Sequence, residues 1–338
     1  MSELLLAWLQ FGICALLIAF AGMKLSHYGN VIADQTGWSG SWVGLFMLAT
    51  VTSLPELATG VSSVTLANQP DIAVGNVLGS CMFNLSMLAL VDLLYRQESV
   101  YRRASQGHIL SAGFGVVLIA FVGLGLLIGD QARTIAIGHV GIFALAIVLL
   151  YLVAIRTVFV YERATMQQFT EKASDRYAQL SLRQAVIRYA LAAVVVVGAG
   201  IRLPFVAVQL AEIMGWHMTF VGTLFVAVVT TLPELAVTIS ALRLGALDMA
   251  IANLLGSNLF NILILAIDDL FFAAGPILSH VSPIHAITAF SAVIMTGCVV
   301  IGLLYRPSAR PLRMMSWVSI ALFAVFFLNS YLLYGYGD

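Results

Sequence analysis

The sequence predicts an all-α integral membrane protein whose ten transmembrane helices form two inverted five-helix repeats. Three observations support this fold class: the composition, the length of the apolar blocks and a recurrence of polar motifs between the two halves. Of the 338 residues, 61% are hydrophobic and only 9% are charged, whereas a soluble domain normally carries about 25% charged residues. The formal net charge is zero, which gives no reason to expect a nucleic-acid partner.

The apolar residues fall into blocks of roughly 20, the length that crosses a hydrocarbon core of about 30 Å. The lipid bilayer is therefore the expected partner of the outer surface. The sixth block is over-long, and we expect its helix to be tilted or broken near Pro204. The ten predicted spans cover approximately residues 4–24, 42–67, 72–94, 108–129, 134–156, 184–213, 219–243, 249–273, 283–305 and 314–335.

The distribution of Lys and Arg predicts the orientation, because these residues favour cytoplasmic loops. With the N-terminus outside, 14 of the 16 Lys and Arg residues fall in cytoplasmic segments. We therefore expect both termini outside the cell. This arrangement divides the chain into a first five-helix half (residues 1–156), a cytoplasmic connecting loop (157–182) and a second five-helix half (183–338).

Polar motifs of the first half recur in the second half at a nearly constant spacing. The segment Leu-Pro-Glu-Leu-Ala at 54–58 recurs 178 residues later at 232–236, and Gly-Ser…Asn at 79–84 recurs 177 residues later at 256–261. Motifs that return in order, with one slip, indicate a duplication. Five spans is an odd number, so the second copy enters the membrane the opposite way up. Inverted repeats of this kind hold the substrate of many secondary transporters near the midplane.

Two acids, Glu56 and Glu234, are predicted to lie near mid-membrane at matching positions of the two halves. Glu56 is about 14 residues from Trp42 and 12 from Asn68, roughly 21 and 18 Å along a helix. A carboxylate at that depth costs at least about 2.5–3.5 kcal/mol on insertion scales, and no basic residue lies at the same depth. A bound cation is the simplest partner. Two protonated glutamates bonded across helices are the alternative.

A proline precedes each acid, and hydroxyl groups lie one turn before it. Pro55 and Pro233 each remove a backbone donor and interrupt the helix, which is tolerated at membrane depth where the chain lines a cavity. Carbonyls near Val51 and Val229 are then free to bind a cation. The four hydroxyl residues before the acids are Thr52, Ser53, Thr230 and Thr231.

Ser80 and Asn84 are four residues apart and share one helix face, and Ser257 and Asn261 repeat this pair. Every candidate ligand is an oxygen atom, which favours calcium, magnesium or sodium over zinc or copper. No His-Glu-x-x-His pattern occurs. We therefore expect a transporter rather than an enzyme, with transported ions and no bound cofactor.

Two further acids and four histidines are expected to lie away from this site. Asp92 and Asp269 fall toward the ends of spans, which favours a solvated or interhelical role over ion binding. The histidines are expected at the outer membrane interface and are His139, His217, His280 and His285.

The two halves carry motifs that resemble the paired repeats of the sodium/calcium exchanger family, within the cation/calcium antiporter superfamily. These motifs are Thr-Ser-Leu-Pro-Glu-Leu at 52–57 with Thr-Thr-Leu-Pro-Glu-Leu at 230–235, and Gly-Ser…Asn at 79–84 with Gly-Ser-Asn-Leu-Phe-Asn at 256–261. The resemblance covers the whole ten-span plan and implies a prokaryotic antiporter of the inner membrane that exchanges sodium for calcium. It also implies that the ions are bound by Glu56, Glu234, Thr52, Ser53, Thr230, Thr231, Ser80, Ser257, Asn84 and Asn261.

The chain departs from the family pattern at a few positions. Val51 and Val229 stand where the family often has Gly, and Cys81 stands where many members have Asn. Asn261 replaces an Asp of many prokaryotic members, which leaves a formal site charge of −2 and argues against potassium co-transport. A proton-coupled antiporter and a cation channel remain the alternatives. The proton-coupled branch typically reads Gly-Asn-Ala-x-Glu at the acidic motif, so the motif here favours sodium.

Overall fold

The computed structural model describes residues 3–36, 50–95, 98–129, 136–166, 180–307 and 315–336, and these residues are almost entirely helical. A short antiparallel hairpin, β1 (Ala136–Ile137) and β2 (Val140–Gly141), precedes α6. A 3₁₀ turn at Ile277–Ser279 follows α10. The helices are α1 Glu3–Gln35, α2 Leu54–Thr65, α3 Pro70–Leu94, α4 Val100–Arg103, α5 Gly107–Ile128, α6 Ile142–Met166, α7 Leu182–Met214, α8 Met218–Thr230, α9 Leu232–Arg243, α10 Leu247–Phe271, α11 His285–Tyr305 and α12 Trp317–Tyr336.

Eight of these helices are long and apolar enough to cross a membrane, and the bent pair α8–α9 makes a ninth span. The second predicted span, 42–67, is the one that these nine do not include: it begins outside the described residues, and α2 is its described second part. Large apolar side chains point outward, such as Leu16 (72% exposed) and Val194 (70%). Polar side chains instead fill the centre of the bundle, the arrangement expected when the surrounding solvent is lipid.

Helices α1 and α7 are each 33 residues long and pack against one another. Both exceed their predicted spans, α1 by about one-third of its length. A capping box between Ser181 and Gln184 starts α7, and Gly215, at φ +66°, ends it. The helix runs without interruption through Pro204, so of the two expected alternatives a break at that residue is wrong, and a tilt of the helix stays a prediction.

The fifth predicted span, 134–156, is displaced along the chain. Residues 136–141 form the β-hairpin, and α6 begins at Ile142 and continues to Met166. The helix therefore extends into the predicted connecting loop, of which residues 167–179 lie outside the described residues. Apolar residues such as Val160 continue past the predicted end and remain exposed, so nothing in the local sequence stops the helix at residue 156.

Two helix breaks occur at corresponding places in the two halves. α2 starts after Ser53 (φ −86°, ψ 13°), and α9 starts after Thr231 (φ −83°, ψ 2°). In each case proline is the second residue of the new helix, where its missing N–H is not needed. The axis bends by 45° between α8 and α9. These breaks confirm the predicted effect of Pro55 and Pro233.

The middle of α8 is π-helical over Val221–Val226 and lies directly against α3. The approach is close because α3 presents glycine there: a Cβ at Gly79 would stand 2.2 Å from the carbonyl oxygen of Thr223. Gly75 faces the backbone of the same π-helical segment. Small residues at such crossings allow two backbones to meet inside a membrane. This contact fixes the position of α3 relative to the break before α9.

Asp92 and Asp269 hold loops to the helix ends. Asp92 Oδ1 accepts the N–H of Val100, and Asp269 Oδ1 accepts the N–H of Ile277, each eight residues further along the chain. The second oxygens accept the N–H of Ser316 and of Gly141. Both acids therefore have the interhelical role expected of them.

Two Asp–His pairs fix helix starts at opposite ends of the bundle. His108 Nε2 lies 2.9 Å from Asp248 Oδ1, and His285 Nε2 lies 3.1 Å from Asp71 Oδ1. α5 and α11, which begin with these histidines, are antiparallel, since Gly123 lies against Ala289 and Gly115 against Thr296. His285 is fully buried at one end of the bundle, so its side chain faces protein, and its predicted depth at the outer membrane interface stays a prediction. Its burial is tolerated because the Asp71 carboxylate is its partner.

Candidate functional site

Glu56 and Glu234 lie in the first turns of α2 and α9, directly after the two helix breaks, and both are fully buried. They are close enough for each carboxylate to lie within the electrostatic field of the other. Ser53 Oγ donates to Glu234 Oε1 at 3.1 Å. Within the described residues, no well-formed hydrogen bond reaches either oxygen of Glu56 or Oε2 of Glu234. The two predicted acids therefore come together, with three carboxylate oxygens unpartnered.

The hydroxyl groups around the acids come from both halves of the chain. Thr52 Oγ1 lies 3.5 Å from Ser257 Oγ, and Ser80 Oγ lies 3.5 Å from Thr230 Oγ1. The hydroxyls of Thr230 and Ser80 face the carboxyl of Glu56. Each half thus supplies the acid of one motif and hydroxyls beside the acid of the other.

The hydroxyl of Thr231 does not bond to an acid as that of its counterpart Ser53 does. Its Oγ1 donates to Ala227 O at 2.7 Å and approaches Val228 O at 3.2 Å. The hydroxyl is therefore used by its own helix at the point where that helix ends, a common role for Thr. Although it is a predicted ligand and fully buried, the structure turns it toward α8 rather than toward the acids.

The two predicted amides, Asn84 and Asn261, are fully buried. Asn84 Nδ2 donates to Asn258 Oδ1 at 2.9 Å, which leaves Asn84 Oδ1 unpartnered. Neither polar side-chain atom of Asn261 has a well-formed hydrogen bond in the described part of the chain, although the Cys81 thiol lies next to it. Buried amides are almost always hydrogen-bonded, so the unpartnered amide oxygens indicate a place for a cation or for water.

The prediction omitted two asparagines that build the site. Asn76 Nδ2 donates to the backbone carbonyl of Glu56 at 3.3 Å, and its Oδ1 accepts from Thr230 Oγ1 at 2.9 Å. Asn258 bridges to the backbone of Cys81, its Nδ2 donating to the Cys81 carbonyl at 3.3 Å. The signal was present for Asn76, because it recurs at Asn253 in the second half. Asn258 has Cys81 at its repeat position and gave no such signal.

Helix packing places the two broken helices against the long helices of the opposite half. Pro55 O and Ala58 of α2 lie against Gly200 of α7, and Pro233 of α9 lies against Gly22 of α1. At Gly22 a Cβ would stand 2.3 Å from the proline ring. Glycine is therefore required for α1 to approach the break, and the acids stand on an inner wall braced by α1 and α7.

A further buried acid, Asp268, lies along α10 and was not predicted to have a role. It is fully buried and neither carboxylate oxygen has a hydrogen-bond partner among the described residues. Its carboxylate lies against Gly60 of α2, where a Cβ would meet Oδ1 at 2.6 Å. The repeat position in the first half is Val91, so the comparison of the halves gave no reason to single it out.

The assembled ligand set is chemically uniform. It consists of two carboxylates, hydroxyls and amide oxygens, and no cluster of three or more His, Cys, Asp or Glu residues occurs in the described ranges. Oxygen ligands of this kind suit calcium, which takes 6–8 of them, or sodium. A transition metal would instead favour imidazole or thiolate ligands. The geometry fits a hard cation as the transported substrate.

Known proteins agree with this interpretation. A family model described as sodium/calcium exchanger protein matches residues 6–152 and 185–335. The inner membrane protein YrbG of Escherichia coli (strain K12) is 25% identical over 302 residues, 88% of this chain and 88% of YrbG. The sodium/calcium exchanger MaX1 of Methanosarcina acetivorans is 51% identical over 63 residues, 18% of each chain. The crystal structure of the H⁺/Ca²⁺ exchanger CAX aligns with a TM-score of 0.69 at 16% identity, covering 97% of this chain and 81% of that one.

Proposed function

The chain belongs to the sodium/calcium exchanger protein family, and from this premise we propose that it exchanges sodium for calcium across the membrane by alternating access. It is a multi-pass membrane cation antiporter and not an enzyme. The observation that carries the proposal is the meeting of Glu56 and Glu234 at two helix breaks, with Ser53 donating to Glu234. Each half supplies one acid, so the site lies between the halves. A movement of one half against the other can then open this site to either side of the membrane.

The charge of the site matches calcium. Glu56 and Glu234 supply a formal charge of −2, while Asn84 and Asn261 supply neutral oxygens. A calcium ion is neutralised by the two carboxylates, whereas two buried like charges repel when the site is empty. Sodium ions restore the balance on the return step, with Thr52, Ser53, Ser80, Ser257 and Thr230 as ligands, and Thr231 if its hydroxyl turns from its own helix.

The fold proposed is ten transmembrane helices in two inverted five-helix repeats, with residues 157–182 connecting them. Support comes from α1 and α7, which are equally long, and from breaks at the matched residues Ser53 and Thr231. The two Asp–His pairs also match at a spacing of 177 residues and lie at opposite ends of the bundle, as inversion requires. The family match falls into two stretches of similar length.

We propose sodium rather than the proton as the driving ion. The reasons are the Thr-Ser-Leu-Pro-Glu motif and the local similarity to MaX1. The fold is shared with an H⁺/Ca²⁺ exchanger, so the fold alone does not distinguish the two. A cation channel is the other alternative, but a channel has no need of paired buried acids on two broken helices.

The location proposed is a prokaryotic inner membrane with both termini outside. The excess of Lys and Arg on one set of loops supports this orientation, and the relative YrbG is an inner membrane protein. Cysteine labelling in intact cells at position 2 and in the 157–182 loop distinguishes the two orientations. Labelling of the loop but not of position 2 contradicts the one proposed.

Calcium uptake into proteoliposomes tests the coupling. Sodium-loaded vesicles diluted into sodium-free buffer with radioactive calcium should accumulate calcium against its gradient, and a sodium ionophore should abolish the uptake. Vesicles with an imposed proton gradient and no sodium, made with the same protein, are the matched control. Uptake that ignores sodium and follows the proton gradient refutes sodium coupling, and flux only down the calcium gradient refutes antiport.

A further inference from the structure

Asp268 is enclosed in the contact between α2 and α10. Its side chain is 0% exposed, and its carboxylate lies against Gly60 so closely that a Cβ there would stand 2.8 Å from the carboxyl carbon. Both oxygens lack hydrogen-bond partners among the described residues. Buried carboxylates are normally paired or hydrogen-bonded. An acid held against glycine without either partner needs another explanation.

The position of Asp268 continues the ion site along one line of contact. The chain entering α2 meets α10 at Thr52 and Ser257, and further along at Gly60 and Asp268. These pairs advance in the same direction on both helices, so the helices run parallel here; we call this contact the α2–α10 seam. Asp268 is two helical turns after Asn261 and so shares its face, and Gly60 is one turn, about 6 Å, after Glu56.

The charged groups around Asp268 do not compensate it. Its neighbour Asp269, on the same helix, carries a like charge whose field acts on it. The nearby histidines His139 and His280 act on Asp269, whose oxygens accept loop N–H groups. On α2 the acid nearest in sequence to the contact is Glu56, one turn before Gly60. A permanent charge on Asp268 would thus be surrounded by acids and apolar residues, which is costly inside a membrane.

We propose that Asp268 is a proton site on the ion path: it holds a proton while the seam is empty and releases it when calcium occupies the Glu56–Glu234 site. This inference rests on the proposed function. A metal ion needs several ligands, whereas in the described residues no hydroxyl or amide group is hydrogen-bonded to this carboxylate and no group of three His, Cys, Asp or Glu residues could hold a metal. A proton needs one carboxylate oxygen. While the site is empty, the negative charges of Glu56 and Glu234 oppose ionisation of Asp268. Bound calcium neutralises those two charges, so the proton can then leave to water.

The proton site belongs to one half only. The repeat positions of Gly60 and Asp268 are Thr238 and Val91, which offer neither the space nor the acid. Thr238 Oγ1 instead accepts a hydrogen bond from Asn253 at 3.4 Å. The proton is therefore released on the side of the central site toward which α2 and α10 run, and protons on that side compete with calcium.

Proton release on calcium binding tests this directly. Calcium is added to purified, sodium-free protein in weakly buffered detergent solution, and released protons and bound calcium are measured together. Asp268→Asn should release one proton fewer per calcium than the natural chain, while Asp248→Asn, the same change at the exposed start of α10, should release the natural number. Equal proton release by Asp268→Asn and the natural chain overturns the inference.

Two further measurements separate this role from others. Asp268→Val, which introduces the residue of the repeat position and no new amide, should show the same proton deficit, and neither variant should unfold at a lower temperature. A marked fall in unfolding temperature of both variants would show a structural role and overturn the inference. Sodium-driven uptake by the natural chain is scored separately: its absence refutes sodium coupling, whereas the proton count decides the role of Asp268.

Discussion

The α2–α10 seam and its counterpart, in which Ser80 of α3 meets Thr230 before α9, are alike at the centre and differ away from it. Both begin with a pair of hydroxyls 3.5 Å apart and continue to an acid and an amide. Beyond these, the first has Gly60 against Asp268, and the second has Thr238 and Val91 at the same positions. Along the two seams the match holds through the proposed cation site, and the difference begins one turn beyond it.

The two acids are also unequal. Glu234 accepts from Ser53, whereas Thr231, the counterpart of Ser53, bonds its own helix and leaves Glu56 without that donor. Two halves with similar motifs therefore make one site with two different sides. In the proposed mechanism a single calcium ion needs both acids, but the steps by which it reaches either side do not need to be equivalent.

The largest expected effect is loss of exchange when either acid is neutralised. Glu56→Gln and Glu234→Gln keep shape but leave calcium one charge short; removing one partner of a buried charge pair costs about 3–5 kcal/mol, a loss of about 100-fold or more in affinity. The double variant should be no worse than either single one, since both acids serve one ion. Calcium flux and thermal unfolding are measured together, and all three proteins should remain folded.

Near-normal exchange by either single variant would contradict a shared calcium site. The matched control is Asp248→Asn, which removes a carboxylate outside the site. A loss in this control equal to that of the glutamate variants would show that the assay reports protein integrity rather than the site.

A smaller effect is expected at Gly60, where the seams differ. In Gly60→Ala the new methyl group would stand 2.4 Å from Asp268 Oδ2, and overpacking of this kind costs about 1–3 kcal/mol. Adding Asp268→Ala should restore much of the lost stability, because the carboxylate is the atom group in the way. Thermal unfolding of the single and double variants measures this coupling.

The control for that experiment is Thr238→Ala at the repeat position, where the change removes a methyl group and a long hydrogen bond and adds nothing. It should lower stability less than Gly60→Ala and should be indifferent to Asp268→Ala. Equal responses of the two positions would mean that the seams are equivalent after all.

The smallest expected effect distinguishes the two acids. Ser53→Ala removes a hydrogen bond to a carboxylate, worth about 1.5–3 kcal/mol, and should weaken calcium binding about tenfold or more. Thr231→Val removes only a bond to its own helix and should change binding by less than about threefold. Calcium titration of the purified variants decides between them. Equal losses would show that Thr231 turns toward the ion when calcium is bound.

Much of the fold followed from the sequence because its causes are local. Apolar blocks of membrane length predicted the spans, and Pro55 and Pro233 predicted the breaks through the donor that proline lacks. The recurrence of motifs identified Glu56 and Glu234 without any knowledge of packing. Pro204 was misjudged because a proline inside a long helix does not always end it; α7 continues, supported by packing against α1.

What the sequence by itself determined is therefore the membrane class, the paired acids and the oxygen chemistry of the site, since composition and periodicity act over a few turns. Only the tertiary structure decided that Ser53 serves Glu234, that Thr231 turns away, that His285 is buried against Asp71 and that Asp268 rests on Gly60. Each of these contacts, except that of Thr231, joins residues more than 180 positions apart. Their geometry depends on how whole helices cross, which no local pattern encodes.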